Sequence, residues 1–134
     1  MVLGEGGLST SDARRWQSGP HLRRSLELLH GVLAYCERHQ LRMYRFSASL
    51  APYATHPDLP QFHGQVEECA EELAAFGAEA RRLSVRLSTH PSQYIVLNSE
   101  NPATQTSAIA DAEVQAQLLD AMGTGDEAVC ILHV

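Results

Sequence analysis

Apolar residues return every three or four positions in three stretches of the chain, and at alternate positions in shorter runs between them. From His21 to Gln40, the residues Leu22, Leu26, Leu29, Leu33 and Cys36 form one stripe behind Pro20. That spacing, with proline at the start, predicts an amphipathic helix. From Phe62 to Leu83 the series Val66, Cys69, Leu73, Phe76, Ala80 and Leu83 predicts a second helix. From about Ala103 to Met122 the weaker series Ile109, Ala112, Ala116 and Leu119 predicts a third, with Gly123 as its C-terminal stop. Between the helices lie the strand-like runs RMYRFSAS, VRLSTH and AVCILHV, with MVLG a further strand remnant at the start. Strand and helix in alternation imply parallel βαβ units with right-handed crossovers, here roughly four strands and three helices.

Alternation within the strands separates two faces. Val85, Leu87 and Thr89 share one face, and Arg86, Ser88 and His90 share the other. The preceding strand repeats the division, Tyr44 and Phe46 against Arg45 and Ser47. An open sheet covered by helices on both sides would make both sets apolar. A polar row ending in a histidine instead suits the lumen of a barrel with its site at the strands' C-terminal ends. His90 and His133 both stand where a strand run gives out. A lone strand-end histidine is usually structural. Two on adjacent strands about 4.8 Å apart lie close enough to share one metal ion, whose nitrogen ligands sit at about 2.0 to 2.1 Å.

Composition narrows the chemistry. The chain has 134 residues, 44% of them apolar, enough for one core, and no repeat or linker divides it, so residues 1–134 are expected to form a single domain. Cys36, Cys69 and Cys130 are odd in number and far apart, which argues against a disulfide framework or zinc knuckle and fits a reducing cytoplasm. No 18-residue apolar span or signal-peptide profile occurs, so no membrane partner is expected. A net charge of −6 disfavours non-specific nucleic-acid binding unless a local basic patch exists. Arg14, Arg15, Arg23 and Arg24 make a modest cluster that reads better as solvated surface. All ten cationic residues are arginine, which removes Schiff-base lysine and the P-loop from the candidates. Gly4 to Gly7, GEGG, is too short for a dinucleotide fingerprint. His21, His30, His39 and His63 accompany helices and are expected to be surface or packing residues.

The blocks RMYRFSASLAPYATHP, RLSTHPSQYIVLNS and LLDAMG with VCILHV resemble, in order, the ultraviolet damage endonuclease family of metal-dependent TIM-barrel phosphodiesterases. The His-Pro-x-Gln-Tyr turn is the most specific of them. The resemblance implies a DNA repair endonuclease hydrolysing a phosphodiester bond beside ultraviolet lesions in double-stranded DNA, with divalent metal ions, usually discussed as manganese, as cofactor. His90 and His133 would bind metal, and His56 would be a third active-site histidine in the metal set. Gln93 and Tyr94 would probe the duplex at the lesion. Ser92 stands where glycine is common, which would stiffen the probing turn. Apart from the resemblance, Arg45 and Arg86 on the inner row read as candidates to touch substrate phosphate, though pairing with barrel carboxylates is the better reading because buried arginines usually need partners. An aromatic wedge makes physical sense, because a stack on an unpaired base is worth about 1 to 3 kcal/mol and a distorted lesion unstacks more cheaply than an intact pair.

A TIM barrel takes about 250 residues, so this sequence reads as about half of one, the N-terminal portion. The remaining ligands are then expected beyond Val134. Exposed edges would need a C-terminal half or self-association to cover them. The chain by itself is expected to bind metal weakly and to cut no irradiated DNA. A xylose-isomerase-like sugar enzyme and an inactive half-barrel fragment are the alternatives, and the Gln93-Tyr94 turn favours the nuclease because a sugar pocket has no use for a duplex wedge.

Overall fold

The computed structural model describes residues 15–19 and 21–132. Pro20, the MVLG run, GEGG, Arg14 and His133 lie outside the described residues. Helix α1 spans Leu22–Arg38, strand β1 Met43–Phe46, helices α2 and α3 Gln65–Glu68 and Ala70–Arg82, strand β2 Arg86–Thr89, helix α4 Pro102–Ala121 and strand β3 Val129–Cys130. The three strands are parallel in the order β1-β2-β3, with Met43 beside Arg86, Phe46 beside Thr89, and Ser88 beside Val129. This is part of an α/β barrel. The run MVLG being undescribed, three of the four expected strands are seen.

The helices pack against one face of the sheet. Leu22, Leu26, Leu29, Leu33 and Cys36 of α1 all enter the core, as their spacing predicts, beside Leu73, Phe76 and Ala80 of α3 and Phe46, Val85 and Leu87 of the sheet. The opposite face carries Met43, Arg45 and Arg86, all exposed, with Val129. It is the inner row of the sequence reading. Ser88, within that row, is buried. Arg86 contacts the Met43 sulfur at 3.2 Å, and Arg45 projects into solvent.

Two helix expectations need correction. The second helix is not continuous: a 3-10 turn at Pro60–Phe62 precedes α2, and Cys69 interrupts the passage into α3 with φ −109° and ψ 19°. At the start of α2, Gln65 turns inward. Its Oε1 accepts from Leu22 N–H at 2.8 Å, and its Nε2 donates to Pro52 and Phe62 carbonyls at 2.7 Å each. In α4 the inward stripe is Ala108, Gln115, Leu118 and Leu119, while Ile109 is 46% exposed and Ala116 faces solvent. Alanine-rich periodicity left the phase of this helix poorly fixed, and a buried glutamine took an inward position.

Both ends of α4 are secured. Asn101 caps the start, its side chain accepting from Ala103 N–H at 2.9 Å and Thr104 N–H at 3.4 Å. Gly123 ends it at φ +62°, as the sequence predicts, and the Arg81 guanidinium donates to the Met122 and Gly123 carbonyls at 2.8 and 2.6 Å. A cation there also complements the negative end of the helix dipole.

Behind the sheet, burial pushes the Tyr44 phenol up to about 12 from its usual 10. A raised folded-state pKa contributes stability that is complete below the unfolded value and disappears as pH climbs through the folded one. Stability is therefore expected to fall between about pH 10 and pH 12 as Tyr44 ionises. Phenolate absorbance followed beside far-ultraviolet circular dichroism checks this, with the Tyr44 phenol ionising together with unfolding.

Candidate nucleic-acid interface

His56 lies on the segment that follows the C-terminal end of β1, and His90, Gln93 and Tyr94 on the segment that follows β2. After β1, residues 47–59 fold as a run of tight turns. Ser47 accepts from Leu50 N–H at 3.2 Å, Tyr53 from His56 N–H at 3.1 Å and His56 from Leu59 N–H at 3.2 Å. Tyr53 takes the left-handed conformation, φ +57°, which is uncommon outside glycine, and its ring meets Phe62 and His56. After β2, His90 is half-buried and Pro91 buried. The chain then turns outward: Ile95 N–H donates to Ser92 O at 2.9 Å, and the Ser92 hydroxyl accepts from Tyr94 N–H at 3.4 Å. The hydroxyl bond gives the turn a constraint that glycine would lack.

Gln93 and Tyr94 occupy the tip, and Tyr94 is 79% exposed. Ile95 next to it is 7% exposed and serves as the anchor. Tyr94 is therefore not a core aromatic. A tyrosine held outward on an anchored turn presents a stacking face at low entropic cost, whereas free chain would have to be ordered first.

His56 has a defined hydrogen-bond state. Its Nδ1 accepts from Asp58 N–H at 3.2 Å, and its carbonyl bonds the His63 Nε2 at 2.8 Å. An accepting Nδ1 places the proton of the neutral ring on Nε2. Metal-binding histidines ordinarily donate from the nitrogen that does not bind, so ligation through Nε2 requires this Asp58 bond to break. As found, His56 offers a donor.

Metal fit follows from the same residues. Among the described residues no group of three or more His, Cys, Asp or Glu side chains is placed to hold a metal ion. His90 and His56 do not complete a site between them, and His133 lies outside the described residues. The cysteines do not supply a nucleophile: Cys36 and Cys69 are buried, and burial pushes the Cys69 and Cys130 thiols up, away from thiolate.

His21, His30 and His39, with Arg23 and Arg24 of the basic cluster, have structural roles. His21 caps α1 by accepting from Arg23 N–H at 3.1 Å and meets Glu68 at 3.0 Å. His30 packs edge-on to Phe76, and His39 lies over Tyr35. Arg23 pairs with Glu72 at 2.8 Å and Arg24 with Glu27 at 2.5 Å. The adjacent guanidinium holds the Glu72 carboxyl below the usual range.

The family described as UV-endonuclease UvdE matches residues 22–134. The chain belongs to that family. It is 33% identical over 100 residues to a UV DNA damage endonuclease of Nostoc sp., covering 74% of this chain and 30% of that protein. To a UV DNA damage endonuclease of Bacillus cereus (strain B4264) it is 32% identical over 114 residues, covering 84% of this chain and 35% of the relative. Among solved structures it resembles the crystal structure of SacUVDE, with a TM-score of 0.72 and 26% identity over 96% of this chain and 41% of that one. The chain thus spans about a third of the length of these curated relatives.

Sequence reasoning missed two residues of this region. Gln65 and Gln115 are both buried, at 1% and 5% exposure, and bond the 47–59 segment through Pro52 O and Ala48 O. A glutamine on a helix reads as a solvent-facing residue, and the period of α4 was too weak to say otherwise.

Proposed function

We propose that this chain supplies the lesion-probing turn and part of the catalytic edge of a metal-dependent DNA repair endonuclease that hydrolyses a phosphodiester bond beside ultraviolet lesions in duplex DNA. The carrying observation is Tyr94, 79% exposed with Gln93 at the tip of an anchored turn directly after half-buried His90, in a chain of the UvdE family. In this reading Tyr94 stacks on a base exposed at the lesion and Gln93 takes the place of its lost pairing partner. Selectivity comes from the lower cost of opening a distorted step. His90 and His133 are metal ligands, with manganese as the expected ion. His56 was the third metal candidate from the resemblance; its Nε2 proton suits a donor to phosphate instead. Exposed Arg45 and Arg86 are available to phosphate as well.

Gel-shift titration of the 134-residue chain on irradiated and intact duplexes tests the recognition half of this proposal. The expected result is at least a tenfold preference for irradiated DNA. Equal affinity for both would remove it.

A further inference from the structure

Helix α4 makes bonds that no stability argument singles out. Near its first turn, Gln105 Nε2 donates to Leu97 O at 3.1 Å, holding the far side of the turn that carries Gln93 and Tyr94. One and a half turns on, the Thr55 hydroxyl donates to Asp111, next to His56 in sequence. A further turn on, Gln115 accepts from the Thr89 hydroxyl and donates from Nε2 to Ala48 O at 3.3 Å. Thr89 immediately precedes His90, and its own carbonyl accepts Ile131 N–H at 3.1 Å, fixing the end of β3. Thr89 is 1% exposed and Gln115 5%. A cavity of about 360 Å³ lies between the 47–59 segment and α4, lined among others by Tyr53, Thr55, His56, Asp111 and Gln115. The segment therefore does not rest on α4 through continuous packing. Discrete polar bonds bridge the space.

We propose that Gln105, Asp111 and Gln115 are positioning residues that set the His56 segment and the Gln93-Tyr94 turn relative to each other and to His90. The claim rests on the proposed lesion-recognition function for its purpose, but its physical content is independent of that function. Hydrogen bonds that span a gap fix distance and direction, whereas apolar contacts of the same area tolerate sliding. Gln115 is the central member, because one amide joins the C-terminal end of β2 to the segment after β1. Both of its bonded atoms have partners, so the buried amide is satisfied and directional.

The test uses the 134-residue chain carrying both Thr89→Val and Gln115→Met, which replaces a buried polar pair with apolar groups of similar shape, a change that is often nearly neutral for folding. Hydrogen exchange at Leu50, His56 and Ile95, whose amides close the two loops, is expected to rise at least tenfold with the melting temperature held within a few degrees. Affinity for irradiated duplex DNA should fall about tenfold, whereas Thr89→Ser alone, with Gln115 retained, should keep both readings at the wild-type level because its hydroxyl still bonds the amide. Unchanged exchange at those amides in the folded double variant would overturn the proposal. Should that variant fail to fold, Gln105→Ala decides, since Gln105 is exposed and its loss threatens no core. Faster exchange at Ile95 supports positioning, and an unchanged rate refutes it. A wild-type chain that ignores lesions while the exchange results hold would sink the recognition function and leave the positioning role standing.

Discussion

Replacing Gly77 with alanine is expected to lower the melting temperature by on the order of 10 °C. Gly77 lies in α3 where α4 ends, and a β-carbon there would stand 1.8 Å from the Met122 carbonyl oxygen and 2.6 Å from its carbon. Both obstacles are backbone, so no side chain can swing aside. Overpacking of this kind costs about 3 kcal/mol, and alanine's better helix propensity returns about 1 kcal/mol. The net of about 2 kcal/mol gives the shift in melting temperature. Gly31 provides the control: a β-carbon there meets nothing within 4 Å, so Gly31→Ala in the middle of α1 should stabilise by about 0.5 to 1 kcal/mol. Thermal melts of the two variants check the pair, and similar losses in both would mean that α3 and α4 do not approach as described. Because Met122 ends the helix that carries Gln115, Gly77→Ala should also loosen the loops that α4 holds.

Tyr94→Ala is expected to weaken binding to irradiated duplex by about 1 to 3 kcal/mol, the worth of one base stack, which is roughly a five- to 150-fold loss. Its melting temperature should not move, since a side chain 79% exposed has little folding contact to lose. A core tyrosine would behave differently, losing about 3 to 5 kcal/mol of folding stability and harming every property together. His90→Ala should show the complementary pattern, impaired metal binding with much of the DNA affinity retained. Melts run beside gel shifts separate these outcomes: a folded Tyr94→Ala variant with undiminished lesion affinity contradicts the wedge.

How much of this was legible in the sequence depended on how strongly each segment's chemistry constrained it. The leucine stripe of α1 and the alternation in β2 were read correctly because large apolar residues have one acceptable side. The exposed tip of the turn was legible from Pro91, Ser92 and Gln93, turn formers and polar residues that would not follow a buried strand inward. What escaped was polar burial. Gln65 is buried and bonds three backbone groups inside the fold, and Gln115, not Ala116, takes the inward position on α4. Periodicity records which residues avoid water; it has no signature for an amide that finds its partners indoors. His56 shows a related limit, because its proton position depends on one amide of Asp58, two residues away, that only the folded turn aims at Nδ1.

Lesion-directed, metal-dependent incision is measured most directly in a chimera. Residues 22–132 would replace the matching segment of the Bacillus cereus relative, whose remaining length this chain does not span. A thermal melt would first establish that the chimera is folded. With manganese, it is expected to nick a duplex carrying a single ultraviolet lesion beside that lesion, to leave the intact duplex whole, and to stop when the metal is chelated. A folded chimera that cuts neither duplex, or cuts both equally, would contradict the account.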